Sequence, residues 1–157
     1  PSVALVAGHY FQGVMSLAAE GRWHALPEPG QARSGVEGFL ETAPGEWLMG
    51  FGRQNGRFAC VDTKDGSVRW ESLLDGAAHD VVVCDVDGDG RREFVFATTH
   101  GTLYAVGDGE GAPRTVWTAD IGAGGGPVIA ADLTGDGKSE IAVQTNGGYL
   151  YVFGAVK

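Results

Sequence analysis

The sequence predicts an all-β fold: an arc of a β-propeller made of four-stranded antiparallel blades, about three blades' worth with a partial blade at each end. Three observations predict it. One offset of 47 residues recurs along the chain, separating Trp23, Trp70 and Trp117, then Glu46, Glu93 and Glu140, and relating Asp85, Gly90, Gly101 and Tyr104 to Asp132, Gly137, Gly148 and Tyr151. A sandwich also supplies short strands, but it does not repeat the same residues at a fixed interval. The 27 glycines far exceed the background of roughly 7 %, and they punctuate short runs rich in β-branched and aromatic residues, as strands joined by tight turns require. One period holds four such runs, the strand count of a propeller blade.

Taken in order, residues 1–26 supply strands two to four of one blade and residues 36–70 form a second. Residues 78–117 form a third, with strands at 80–85, 93–98, 102–106 and 115–118, and residues 127–153 supply strands one to three of a fourth. Each blade of such an array buries its faces against its neighbours, so an isolated arc is expected to associate or to be poorly soluble. Asp62, Gly66 and Trp70 are expected to lock the turn between the third and fourth strands of the second blade and to pack between blades. Cys60 and Cys84 each sit in an apolar run, the setting of a buried free thiol rather than of a disulfide framework. The glycine run at 122–126 has no helix after it, so it reads as a blade connection rather than a dinucleotide loop.

Between the first and second strands of the third blade lies Asp85-Val86-Asp87-Gly88-Asp89-Gly90-Arg91-Arg92-Glu93. Carboxylates stand at positions one, three, five and nine, with the Arg91 backbone carbonyl available at seven. That spacing suits a hard cation taking six to eight oxygens in flexible geometry, and glycine at position six permits the sharp turn. Four carboxylates in nine residues repel one another unless a cation lies among them, and calcium is the expected ion because magnesium rarely accepts an all-protein oxygen cage. The loop recurs as Asp132, Thr134, Asp136, Lys138 (through its carbonyl) and Glu140, with a neutral threonine replacing Asp87. With one carboxylate fewer, the second loop is expected to bind calcium more weakly than the first. In the second blade Gly38, Leu40 and Thr42 occupy the corresponding positions and only Glu46 remains, so no calcium is expected there.

The stretches DVDGDGRREFVFATTHGTLYAV and DLTGDGKSEIAVQTNGGYLYVF resemble FG-GAP repeats of the VCBS and integrin α-like kind, also found in related bacterial propellers. FACVDTKDGSVRW resembles the tryptophan-docking repeat of quinoprotein-like (PQQ-type) propellers. The resemblance spans roughly residues 36–153 and implies the propeller fold and calcium as cofactor. It carries less about activity, since these repeats serve adhesion, scaffolding and several enzymes, and the docking motif is satisfied structurally without a quinone. Sites like those of extracellular modules, with dissociation constants of about 0.1 to 1 mM, stabilise a fold by about 1 kcal/mol each at millimolar calcium. Such sites stay largely empty in cytosol, which implies an extracellular or periplasmic setting.

The net charge of −9, from 20 acidic and 11 basic residues, disfavours binding to nucleic acid or to an anionic membrane over the surface as a whole. No apolar run reaches the ~18 residues of a membrane helix. The chain opens on Pro1, so any targeting segment is expected upstream. No nucleophile elbow, phosphate loop or zinc spacing is present.

Antiparallel blades place the turns between strands two and three, and the connections between blades, on the face opposite the calcium loops. His9, Tyr10, Arg53, Asn55, Arg57 and His100 fall in such turns, with His24 and His79 near blade connections. This acidic chain therefore gathers basic and hydrogen-bonding groups on one face, and the expected function is a calcium-stabilised module presenting that face to a protein or an acidic polysaccharide, within a larger propeller whose remaining blades are its first partners. The alternative is catalytic. Histidine beside tyrosine and arginine is suited to moving a proton next to a neutralised uronate carboxylate, with His79 and His100 as the central pair, an arrangement similar to that of propeller polysaccharide lyases such as ulvan lyases.

Overall fold

The computed structural model of the protein describes residues 6–9, 13–16, 24–25, 33–78 and 80–154. Among them are fourteen strands and no helix, arranged as four consecutive antiparallel meanders. The first sheet is β1 (Val6–His9), β2 (Gly13–Ser16) and β3 (His24–Ala25). The second joins β4 (Arg33–Ala43), β5 (Glu46–Arg53), β6 (Arg57–Asp62) and β7 (Val68–Leu73), and the third joins β8 (Val82–Cys84), β9 (Glu93–Ala97), β10 (Thr102–Asp108) and β11 (Pro113–Asp120). The fourth is β12 (Gly125–Ala131), β13 (Glu140–Thr145) and β14 (Leu150–Phe153). Every strand pairs with its sequence neighbour, so successive connections alternate between two faces of the arc.

The third sheet shows why these short runs become blades. Its strand β9 is buried at every position, and the strand period of two divides it between two cores. Phe94 and Phe96 join Val106 against the second sheet, where Leu40, Leu48, Phe58, Cys60 and Trp70 meet them. Val95 and Ala97, with Leu103 and Ala105, face the fourth sheet and pack on Val128, Ile141 and Val143. A strand covered on both sides loses the apolar/polar alternation of a half-exposed one, which is why its sequence is a continuous apolar run.

The seam between the second and third sheets is aromatic. Phe58 stacks on Phe96 with ring centroids 4.3 Å apart, Phe94 lies 5.5 Å from Phe58, and Trp70 closes the group 5.9 Å from Phe58. Gly50 makes room for it, because a Cβ there would lie 2.6 Å from the Phe58 ring and 2.7 Å from that of Phe94. At the rim, the Trp70 indole N–H donates to Asp108 Oδ1 at 2.8 Å, while Arg69 grips the same carboxylate through Nε and Nη2. Burial alone pushes the Asp108 carboxyl upward, but the hydrogen bonds from Arg69 and Trp70 outweigh it and hold the group below the usual carboxylate range. Trp70 thus packs between blades, and the turn before it is closed by the Gly66 N–H donating to the Asp62 carbonyl at 2.8 Å.

Each of the two seams flanking the third sheet also holds one thiol. Cys60 lies in the core between the second and third sheets and Cys84 in that between the third and fourth. Both are free. Burial pushes the Cys84 thiol up to about 11 and raises Cys60 further still.

Candidate functional site: two acidic loops and the opposite face

The loop at 85–93 joins β8 to β9, and that at 132–140 joins β12 to β13, so both lie on one face of the arc. Several of their internal contacts repeat at equivalent positions. Asp85 accepts the N–H groups of Gly88 and Gly90 at 2.7 and 2.9 Å, and Asp132 accepts those of Gly135 and Gly137 at 2.7 and 2.9 Å. Asp89 takes the Arg91 N–H at 2.8 Å, as Asp136 takes that of Lys138 at 3.0 Å. The glycines after the third and fifth positions have positive φ, +78° and +85° at Gly88 and Gly90, a conformation costly for other residues. Sequence spacing thus sets the fold of the loop: its aspartates cap the amides that the glycines turn inward.

Within the first loop the carboxylates of Asp85, Asp87 and Asp89 present oxygens all within 4.8 Å of one another. Three hard anionic donors so placed fit a divalent cation with oxygen preference. The backbone N–H of Arg91 is the foremost cause holding the Asp89 carboxyl below its ordinary range, so that donor is anionic at neutral pH.

At position nine the glutamates are already engaged within the chain. Glu93 is 0 % exposed, and its Oε2 accepts the Val86 N–H at 3.1 Å while Oε1 accepts Arg114 Nη2 at 2.8 Å. Glu140 likewise accepts the Leu133 N–H at 2.7 Å, and Thr134, expected as a ligand, donates its hydroxyl to Glu140. These glutamates start β9 and β13 and tie each loop back to its sheet, a role that accounts for their recurrence as well as ligation does. Arg91 and Lys138 were expected through their carbonyls; the Arg91 side chain pairs with Asp89 at 3.2 Å. A cleft of about 310 Å³ separates the two loops, lined by Asp85 and Asp87 on one side and by Lys138 and Ser139 on the other. The second sheet has no such loop, since Pro44 and Gly45 alone connect β4 to β5.

On the opposite face lie the β5–β6 turn, the β9–β10 turn and the connection from β7 to β8. Asn55 accepts the Arg57 N–H at 3.2 Å, and Arg57 is exposed with its guanidinium 3.7 Å from Glu71. Arg53 corrects the sequence reading. Its side chain is 4 % exposed and paired with Glu71, so it serves the interior of the sheet and is not presented to a ligand. His100 is exposed and sits with Nδ1 3.5 Å from Thr99 Oγ1. His9 ends β1 and His24 begins β3, whereas His79 and Tyr10 lie outside the described residues. The turn carrying His100 is fastened to the blade connection by groups that sequence reasoning missed: Thr102 donates its hydroxyl to Asp75, and Ala77 donates its N–H to Thr99 Oγ1 at 3.2 Å. Burial foremost, then the charge of Asp75, raises the Tyr104 phenol, which keeps it protonated.

Comparison with known proteins fits this architecture. Residues 85–143 match the FG-GAP-like repeat, a span that contains both acidic loops. No curated protein sequence matches the chain. Among solved structures, BBS1N in complex with ARL6DN superposes with a TM-score of 0.73 at 11 % identity, over 95 % of this chain and 41 % of its own. BamB from Moraxella catarrhalis, a PQQ-like propeller fold, gives 0.63 at 15 % identity over 97 % and 46 %. The Cps50 (Swd1) beta-propeller domain of Myceliophteria thermophila gives 0.53 at 14 % identity over 98 % and 57 %. The fold is that of a β-propeller, and the chain spans between about two fifths and three fifths of these structures' length.

Proposed function

We propose that this chain is a propeller module fastened by calcium at its acidic loops, with the opposite face offered to a protein or acidic polysaccharide ligand, in an extracellular or periplasmic setting. The observation that carries the calcium reading is the convergence of Asp85, Asp87 and Asp89 within 4.8 Å, in a loop whose hydrogen bonds recur 47 residues later. Calcium has a fastening role here: it neutralises the carboxylates at the ends of β8 and β12, while the aspartates, glycines and glutamates of the chain itself hold each loop in shape. Sites of millimolar affinity fill outside the cytosol, which supports the proposed setting.

The ligand face draws its support from exposed His100 and Arg57, which lie on the face that carries no acidic loop, and from the capture of BBS1N together with ARL6DN, a fold relative seen with a protein partner. The elimination chemistry has less behind it, because one of its two arginines, Arg53, is buried against Glu71.

Thermal unfolding in EDTA and in millimolar calcium tests the calcium reading. Calcium is expected to raise the melting temperature by several degrees, as about 1 kcal/mol per site implies, and Asp87→Asn is expected to reduce the rise. Identical melting in EDTA and calcium overturns it.

A further inference from the structure

We propose that Arg114 is a resident counter-cation of the first acidic loop, competing with calcium for it, so that this loop stays assembled without metal and binds calcium more weakly than its carboxylates alone dictate. The inference rests on the calcium reading of the same loop.

Arg114 lies on β11 and reaches across the sheet edge to the loop. Its Nη2 is 2.8 Å from Glu93 Oε1 and 3.7 Å from Asp89 Oδ2, and its Nη1 is 3.8 Å from Asp87 Oδ2. One guanidinium therefore faces three carboxylates, two of which belong to the converging triad. The glutamate it holds most closely is fully buried, and a buried carboxylate needs a partner charge. Arg114 supplies that charge from inside the chain, while the Arg91 side chain pairs with Asp89 alone, at 3.2 Å, from the exposed side of the loop.

Its seat is shaped for it. Gly107 stands opposite Arg114 in the β10–β11 register, and a Cβ at Gly107 would come within 3.2 Å of Nη2 and 3.4 Å of Glu93 Oε1. The repeat adds an internal control. One period earlier, Arg114 corresponds to Ser67, in the sheet whose loop has shrunk to a two-residue turn with no acidic frame. The sheet that has no acidic loop has no arginine at this position either.

A divalent ion seated on the triad would bond oxygens at about 2.3 to 2.6 Å, placing it within a few ångströms of the guanidinium. Like charges at that range oppose each other even when partly screened, so calcium must displace Arg114 from Asp87 and Asp89 or bind against its charge. The loop that has more carboxylates thus has less calcium affinity than counting them suggests.

Calcium titration by isothermal calorimetry tests this in the full chain, with the second loop silenced by Asp136→Asn. Arg114→Gln in that background is expected to bind calcium about tenfold tighter and, in EDTA, to melt at a lower temperature that calcium restores. Arg114→Lys keeps a charge and protects the fold should the glutamine variant not assemble; lacking the planar fork, it is expected to bind about threefold tighter. First-loop affinity that is unchanged or weaker in the Arg114 variants overturns the inference alone, provided the unsilenced chain takes up calcium. Absence of calcium uptake by either loop in every protein overturns the calcium reading, and this inference with it.

Discussion

Asp108 shows how much one side chain settles that its own neighbourhood in sequence does not announce. It accepts from the Trp70 indole and from Arg69, residues 38 and 39 positions away, and so latches the second sheet to the third. Asp108→Ala is expected to lower stability by about 2 to 3 kcal/mol, since it strands the indole N–H and a guanidinium; urea unfolding measures it. The carboxyl is held below its ordinary range in the fold, so its contribution is complete above about pH 5 and is lost as pH falls below about 4 toward its folded value. Melting temperature followed from pH 6 to pH 2 is therefore expected to fall less steeply in Asp108→Asn than in the parent. Trp70 was legible from its recurrence at 47 residues, but its partner was not, because nothing local marks a carboxylate on the next blade. Arg53 failed for a related reason: a basic residue beside a turn looks exposed until β7, two strands away in the same sheet, brings Glu71 to it.

At the scale of the element, strand identity was legible and strand ends were less so. The first strand of the third sheet, expected over residues 80–85, closes at Cys84, because Asp85 turns its carboxylate back to the Gly88 and Gly90 amides. The fourth strand, expected over residues 115–118, runs from Pro113 to Asp120, as pairing with a long β10 extends it past its apolar centre. The acidic spacing located both loops, yet a linear motif did not reveal that the position-nine glutamates also anchor loop amides. Packing between elements is equally specific. Gly50→Ala would press a methyl into the rings of Phe58 and Phe94, and is expected to cost about 1 to 3 kcal/mol, the usual range for overpacking; a denaturant midpoint shift at constant slope is the check.

Across the whole molecule, the arc was readable because a repeat protein writes its architecture as a period, and only a period was needed to place the sheets. The same logic governs its outer surfaces. The fourth sheet exposes Ile129, Leu150 and Val152 at 61, 69 and 54 %, apolar residues in a blade whose counterparts in the third sheet are covered on both sides. The 157-residue chain is expected to self-associate at micromolar concentration through such surfaces. Sedimentation velocity checks this, with Leu150→Lys and Val152→Lys together expected to shift the distribution toward monomer; a monodisperse parent would remove the expectation.

The placement of the two cysteines has a further use. Cys60 is fully buried in the seam between the second and third sheets, whereas Cys84, packed between the third and fourth, also lines the cleft beside the acidic loops, so it is Cys60 that a sulfhydryl reagent reaches only when its seam parts. Labelling of Cys60 thus times the parting of two blades, with Cys84 as the reference thiol that the cleft serves.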